Sequence, residues 1–268
     1  MDTRRASIEA GTPSKLSLTE RLDEGMQRGF EWVIDNSRTV VAVLVGALVI
    51  GGGVAGVYEW IQARRAAAFD ALASVERTLE KALAASQVPA TETANPEIAQ
   101  KARDAAPELE KKAREDAIAG FDAVIADHSG SVAAFAAALR AARLEIALGR
   151  LDAADKRLEE LAKRAGDDVA RAAALRLRGY VLEETDRAEQ AAELYAQVGG
   201  IESYPGRIQS YVQAAETYER IGKIPAAIEA LEKLSVIAPE YAEQADILSQ
   251  LETLRARLAR EGGAKPSP

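Results

Sequence analysis

Residues 117–124 read AIAGFDAV, 154–161 read ADKRLEEL, 191–198 read AAELYAQV and 227–234 read AIEALEKL. Each begins on an alanine, and Ala117, Ala154, Ala191 and Ala227 stand 37, 37 and 36 residues apart. Four residues after each alanine comes a large apolar side chain: Phe121, Leu158, Tyr195, Leu231. Three further on comes another: Val124, Leu161, Val198, Leu234. Spacings of four and three put all three side chains on one face of a helix. Four copies at a nearly constant period are the mark of a repeat architecture.

Working back from each copy gives the rest of the unit. Leu175, Gly179 and Leu182 precede the turn Thr185-Asp186-Arg187. Ala215 and Tyr218 precede Ile221-Gly222-Lys223, and Ala142, Arg143 and Leu144 precede Leu148-Gly149-Arg150. Each unit reads as helix, tight turn, helix. A small residue in each helix lets the pair cross closely, and the large ones fill the space left.

This pattern resembles the tetratricopeptide repeat (TPR) family over residues 118–239, together with the half-unit at Ala117. The match is fullest in the last unit, with Ala215, Tyr218, Gly222, Ala227, Leu231 and Pro239. It departs from the family in lacking an early Trp and in carrying Glu145 where a Tyr is common. The expected fold is all-α, an α-solenoid of helix-turn-helix repeats behind a single membrane helix. The chain divides into an N-terminal tail (1–38), a transmembrane helix (39–57), a membrane-proximal helix, linker and second helix (58–116), the repeats (117–239), and a capping helix with a frayed end (240–268). The cap is read as one helix from Tyr241 to Arg260, with Leu248, Leu251, Leu254 and Leu258.

The membrane helix rests on residues 39–57, TVVAVLVGALVIGGGVAGV, nineteen residues without a charge. At about 1.5 Å per residue they make roughly 28 Å of helix, the depth of a bilayer's hydrocarbon core. Phe30 and Trp32 flank it on one side and Tyr58 and Trp60 on the other, where aromatic rings favour the headgroup level. A cleaved signal peptide fits poorly, because 38 residues precede the run and the run is too long. A buried helix of a soluble protein would retain polar positions on its exposed side. Ala42-x3-Gly46 and Gly52-x3-Gly56 are small pairs of the kind that let membrane helices approach.

Before the span, residues 1–19 are polar, and Leu22, Met26, Phe30 and Val33 mark a short amphipathic helix. This tail holds six basic residues, Arg4, Arg5, Lys15, Arg21, Arg28 and Arg38, which favours a cytoplasmic N-terminus and a C-terminal domain across the membrane. After the span a helical stripe continues through Ile61, Phe69, Leu72, Val75, Leu79 and Leu83 to Ser86. Residues 86–97 carry two prolines and read as a linker. Ile98 to Ala126 is helical again, with Pro107 placed to split it. The helix leaving the membrane is a candidate partner for the half-unit at Ala117, with residues 86–115 as an insertion.

Chemistry is constrained by composition. There is no cysteine, which excludes disulfides and thiolate metal sites, and one histidine, His128. His128 stands before Gly130 at the end of a repeat helix, where a C-terminal turn explains it. The pairs Glu159-Glu160, Asp167-Asp168 and Glu183-Glu184 read as solvated faces, since helix neighbours diverge by about 100°. The net charge of −8 is spread through the chain, with no basic patch for nucleic acid. No catalytic residue, metal ligand or cofactor is assigned. What remains is a surface. By helical phase and by resemblance to the family, Leu139, Arg143, Arg176, Tyr180, Gln209, Val212 and Glu216 face a protein-binding groove.

The expected function is therefore a membrane-anchored TPR module that holds other proteins or peptides at the bilayer. The alternative is a structural subunit held in a membrane complex through its span. The layout is also similar to bacterial inner-membrane proteins with one span and a periplasmic TPR domain, such as the ancillary subunit of the Sec translocon. That likeness implies a role in envelope protein secretion or assembly.

Overall fold

The computed structural model describes residues 37–86 and 96–263, with Trp32 and Asn36, and leaves the side chains of 40–55 undescribed. The chain divides into two units, Met1–Ala63 and Arg64–Pro268, each described by itself. Among the described residues every regular element is a helix. In chain order they are α1 (Ser37–Ser86), α2 (Pro96–Asp127), α3 (Val132–Ala147), α4 (Leu151–Arg164), α5 (Asp168–Glu184), α6 (Ala188–Gly199), α7 (Arg207–Arg220), α8 (Ile224–Ile237), α9 (Pro239–Gln244) and α10 (Ile247–Gly263).

In the first unit α1 begins at Ser37, and Val57, Tyr58 and Trp60 are exposed on it. Among the described residues no helix is long and apolar enough to cross a membrane. The side chains of 40–55, most of the apolar run 39–57 and Ala42, Gly46 and Gly52 among them, lie outside the description, and so do the tail, the helix marked by Leu22 and Phe30, and the linker 87–95.

The second unit is built from the period seen in the sequence. Of the twelve repeat positions, all are buried except Leu161, which is half-buried. The helices pack in chain order from α2 to α8, with α9 and α10 laid against α8. Small residues set the crossings. A Cβ on Gly179 of α5 would stand 2.5 Å from the Tyr195 ring of α6, so only glycine admits that ring.

The turns inside the units are one motif repeated. Gly149, Asp186 and Gly222 all take positive φ, at 70°, 57° and 76°. In each, the next residue's N–H reaches back to the last turn of the helix: Arg150 to the Glu145 carbonyl, Arg187 to Leu182 and Lys223 to Tyr218, all at 2.8 Å. This six-to-one bond satisfies a carbonyl the helix end leaves open. The connections between units are capped differently. Ser131 accepts from the Ala134 N–H at 3.0 Å, and Asp167 from the Ala170 N–H at 2.7 Å.

The first unit of the array takes its leading helix from α1. Ala68 and Leu72 are buried against Ala117, Phe121 and Val124 of α2, and Val75 lies against Gly120. The stripe read from the sequence is corrected here. Ile61 and Phe69 are exposed, because the inner face runs through Ala68, Leu72, Val75 and Leu79, at spacings of four, three and four. Pro107 does not split α2, which continues through it. Pro107 is exposed, so the carbonyl it leaves unbonded can turn to water. The cap is two helices rather than one. The chain breaks at Asp246, φ 56°, between α9 and α10, and Leu251 and Leu254 are buried while Leu248 and Leu258 are exposed.

Candidate functional site

The surface predicted to bind resolves into separate places. Arg143 is exposed on α3 and lines a cleft of about 610 Å³ between α1 and α3. Leu79, Leu83, Phe121 and Leu144 make its apolar floor, and Glu76, Glu80 and Arg140 its rim. Arg140 is paired with Glu76 across the two helices. None of the other six predicted groove residues lines this cleft.

Leu139 is not a groove residue. It is half-buried between units, packed against both the Leu158–Val181 cluster and the Ala172–Leu175 cluster. Helical phase gave its direction, but the next unit covers that face. Val212 likewise packs partly against the core of the last units. Arg176 is half-buried, and its Nε donates to the Gln213 Oε1 of α7 at 2.9 Å, one repeat along. Tyr180, Gln209 and Glu216 are exposed. Gly56, at the end of the apolar run 39–57, has open space for a Cβ.

His128 ends α2 as a C-terminal turn. Its N–H meets the Val124 carbonyl at 3.0 Å, its carbonyl accepts from Ser131 at 3.1 Å, and Gly130 takes φ 77°. Among the described residues no group of His, Asp and Glu is arranged to hold a metal ion.

The carboxylates read as solvated faces are in part structural hubs, which the sequence reading missed. Glu183 of α5 accepts from the Tyr195 hydroxyl at 2.8 Å, the Thr217 hydroxyl at 2.9 Å and Arg220. It thereby ties α5 to both α6 and α7. Burial pushes the Tyr195 phenol up, and the neighbouring Glu183 pushes it further. Glu145, buried on α3, is met by Arg157 Nη2 at 2.7 Å, and Arg157 also reaches Asp122 of α2 at 2.6 Å. Asp155 of α4 takes Arg178 at 2.6 Å and Arg187 at 2.9 Å. Burial raises the Asp155 carboxyl, but the two guanidinium bonds outweigh it and hold the group below its ordinary value.

A further regularity joins successive units. The basic residue closing each inner turn pairs with an acidic one on the earlier unit's second helix. Arg150 meets Glu115, Arg187 meets Asp155 and Lys223 meets Glu189. A signal existed in the sequence, since Arg150, Arg187 and Lys223 recur at the repeat period.

These features define an all-α array of TPR-like helix pairs. No family model matches the chain, and no curated protein matches it. Among solved structures, the chain is similar to a point variant of a putative kinesin light chain with nearly identical TPR-like repeats from Podosopora anserina. Identity is 19%, covering 60% of this chain and 94% of that one, with a TM-score of 0.41. The form without that substitution gives 18% identity over 63% of this chain and 100% of the other, also at 0.41.

Proposed function

We propose that the chain is a membrane-anchored binding scaffold. Its array holds another protein or peptide close to the bilayer. The observation that carries the binding part is the cleft between α1 and α3. It is an apolar recess of about 610 Å³ with the exposed Arg143 at its rim, of a size and make-up suited to an anchoring side chain. Arg143 forms no ion pair among the described residues. Anchoring rests on the apolar run 39–57, carried by the unbroken α1, and on Tyr58 and Trp60 exposed just beyond it. An anchor raises the effective concentration of weak contacts near the membrane. The six Lys and Arg of the short tail favour a cytoplasmic N-terminus, and so a bacterial inner-membrane protein with its array in the periplasm, serving envelope protein secretion or assembly.

The test is in-cell crosslinking of the full chain. Arg143→Glu with Arg176→Glu is expected to abolish partner crosslinks while leaving membrane fractionation unchanged. Undiminished crosslinks would sink the groove reading. The second reading, a permanent subunit of a membrane complex, is favoured by the small residues Ala42, Gly46, Gly52 and Gly56, which recur along the run. On that reading, leucine at the three glycines releases the protein from its complex on native gels.

A further inference from the structure

A second recess lies on a different edge of the array. It has a volume of about 320 Å³ and opens between the connections 128–131 and 165–167. Ile125, Phe135, Ala138 and Leu161 make its apolar wall. Val132, also lining it, is 73% exposed, and Leu161 is the one repeat position left half-buried.

The next unit shows what such a recess takes. Adding the 37-residue period to the four wall residues gives Ala162, Ala172, Leu175 and Val198. Those four belong to a single buried cluster, and Ile201 and Tyr204 pack against it. Both come from the connection 200–206, which is longer than its counterpart 165–167. The Tyr204 ring lies over Gly206, where a Cβ would stand 2.7 Å from it. In the earlier unit the connection is the three residues 165–167, and a Cβ on its Gly166 would meet nothing within 4 Å. One site is therefore closed by the chain's own loop, and its equivalent is open.

Charge narrows the occupant. Arg157 is engaged by Glu145 and Asp122, Arg164 by Glu160, and Asp167 by the Ala170 N–H. Each charged group at the rim is thus already bonded within the chain, and the apolar wall is complemented by an uncharged, apolar group. We propose that this recess is a docking site for a partner polypeptide that inserts an uncharged aromatic side chain, as Tyr204 does one repeat later. The site is separate from the cleft at Arg143 and does not depend on it.

The probe is the acetylated, amidated heptapeptide GIESYPG, the sequence of residues 200–206, titrated into the full chain in detergent micelles. The methyl signals of Ile125 and Leu161 report binding. Saturable shifts at both are expected at millimolar peptide, weakened roughly tenfold or more when the peptide's tyrosine is alanine. Ala138→Leu, which places at this position the residue found at 175, is expected to remove binding. The crosslinking variant Arg143→Glu with Arg176→Glu should bind as the unaltered chain does, so the two sites fail separately. No shift up to about 10 mM, or equal binding of the alanine peptide, overturns the proposal. So does unchanged binding by a folded Ala138→Leu. The peptide comparison uses the unaltered chain and decides the matter even if that variant does not fold.

Discussion

Gly179→Ala sets two effects of known sign against each other. In an open helix interior, alanine for glycine is stabilising by about 1 kcal/mol, because the unfolded chain loses less freedom on folding. Here the new Cβ would lie 2.5 Å from Tyr195 Cε1 and 2.9 Å from Cζ, so the ring must move. Tyr195 is fully buried, and its hydroxyl is held to Glu183 at 2.8 Å. Overpacking of this kind costs about 1–3 kcal/mol, and loosening a hydrogen bond to a carboxylate adds about 1 kcal/mol or more. The net is a loss of roughly 1–3 kcal/mol, or about 3–10 °C in Tm for a domain of this size. Thermal melting of the detergent-solubilised chain by circular dichroism reads it directly. Gly120→Ala is the comparison, since the atoms nearest its Cβ are the Val75 methyls, at 3.0 and 3.1 Å, and it should cost far less. In a Tyr195→Leu background the ring is gone, and Gly179→Ala should become neutral or stabilising. A Gly179→Ala protein that melts at or above the parent would refute the argument, and so would strictly additive effects in the double variant.

Other outcomes follow from the hubs and turns. Asp186→Gly should raise stability by about 0.5–1 kcal/mol in urea unfolding, because aspartate at φ 57° carries a cost that glycine at 149 and 222 avoids. Glu183→Ala should lower it by about 2–3 kcal/mol, since the buried Tyr195 and Thr217 hydroxyls both lose their acceptor. Asp155 is held below its ordinary value, so its ion pairs stabilise the fold fully above about pH 4 and are lost as pH falls below that. Asp155→Asn should therefore flatten the decline in Tm between about pH 4 and pH 2, and an unchanged slope would exclude Asp155 as its source.

The period was legible because burial and helix crossing act on the same positions in every unit. Wherever an alanine must admit a neighbouring helix, no larger residue fits, so Ala154, Ala191 and Ala227 stand at full burial and announce themselves in the sequence. The leading role of α1 was legible for the same reason, since Phe121 needed a partner helix and Ala68 and Leu72 supply it. The break at Asp246 and the continuity of α2 through Pro107 were not. Both turn on whether a local backbone cost is offset by the surroundings, and a single residue type does not state those.

The site was less legible than the fold, and Leu139 and Leu161 show why. Helical phase tells which way a side chain points from its own helix. It does not tell how far the next unit reaches. Leu139 points outward from α3 and is covered by the following helices, while Leu161 points inward and is left at the wall of a recess. The difference is made by the connections, three residues at 165–167 against seven at 200–206, because only the longer one brings Ile201 and Tyr204 back over the core. A regular period therefore builds the array, and its irregular joints decide where the array stays open. In a repeat protein the loop lengths carry the information about binding that the repeated positions, by being repeated, cannot.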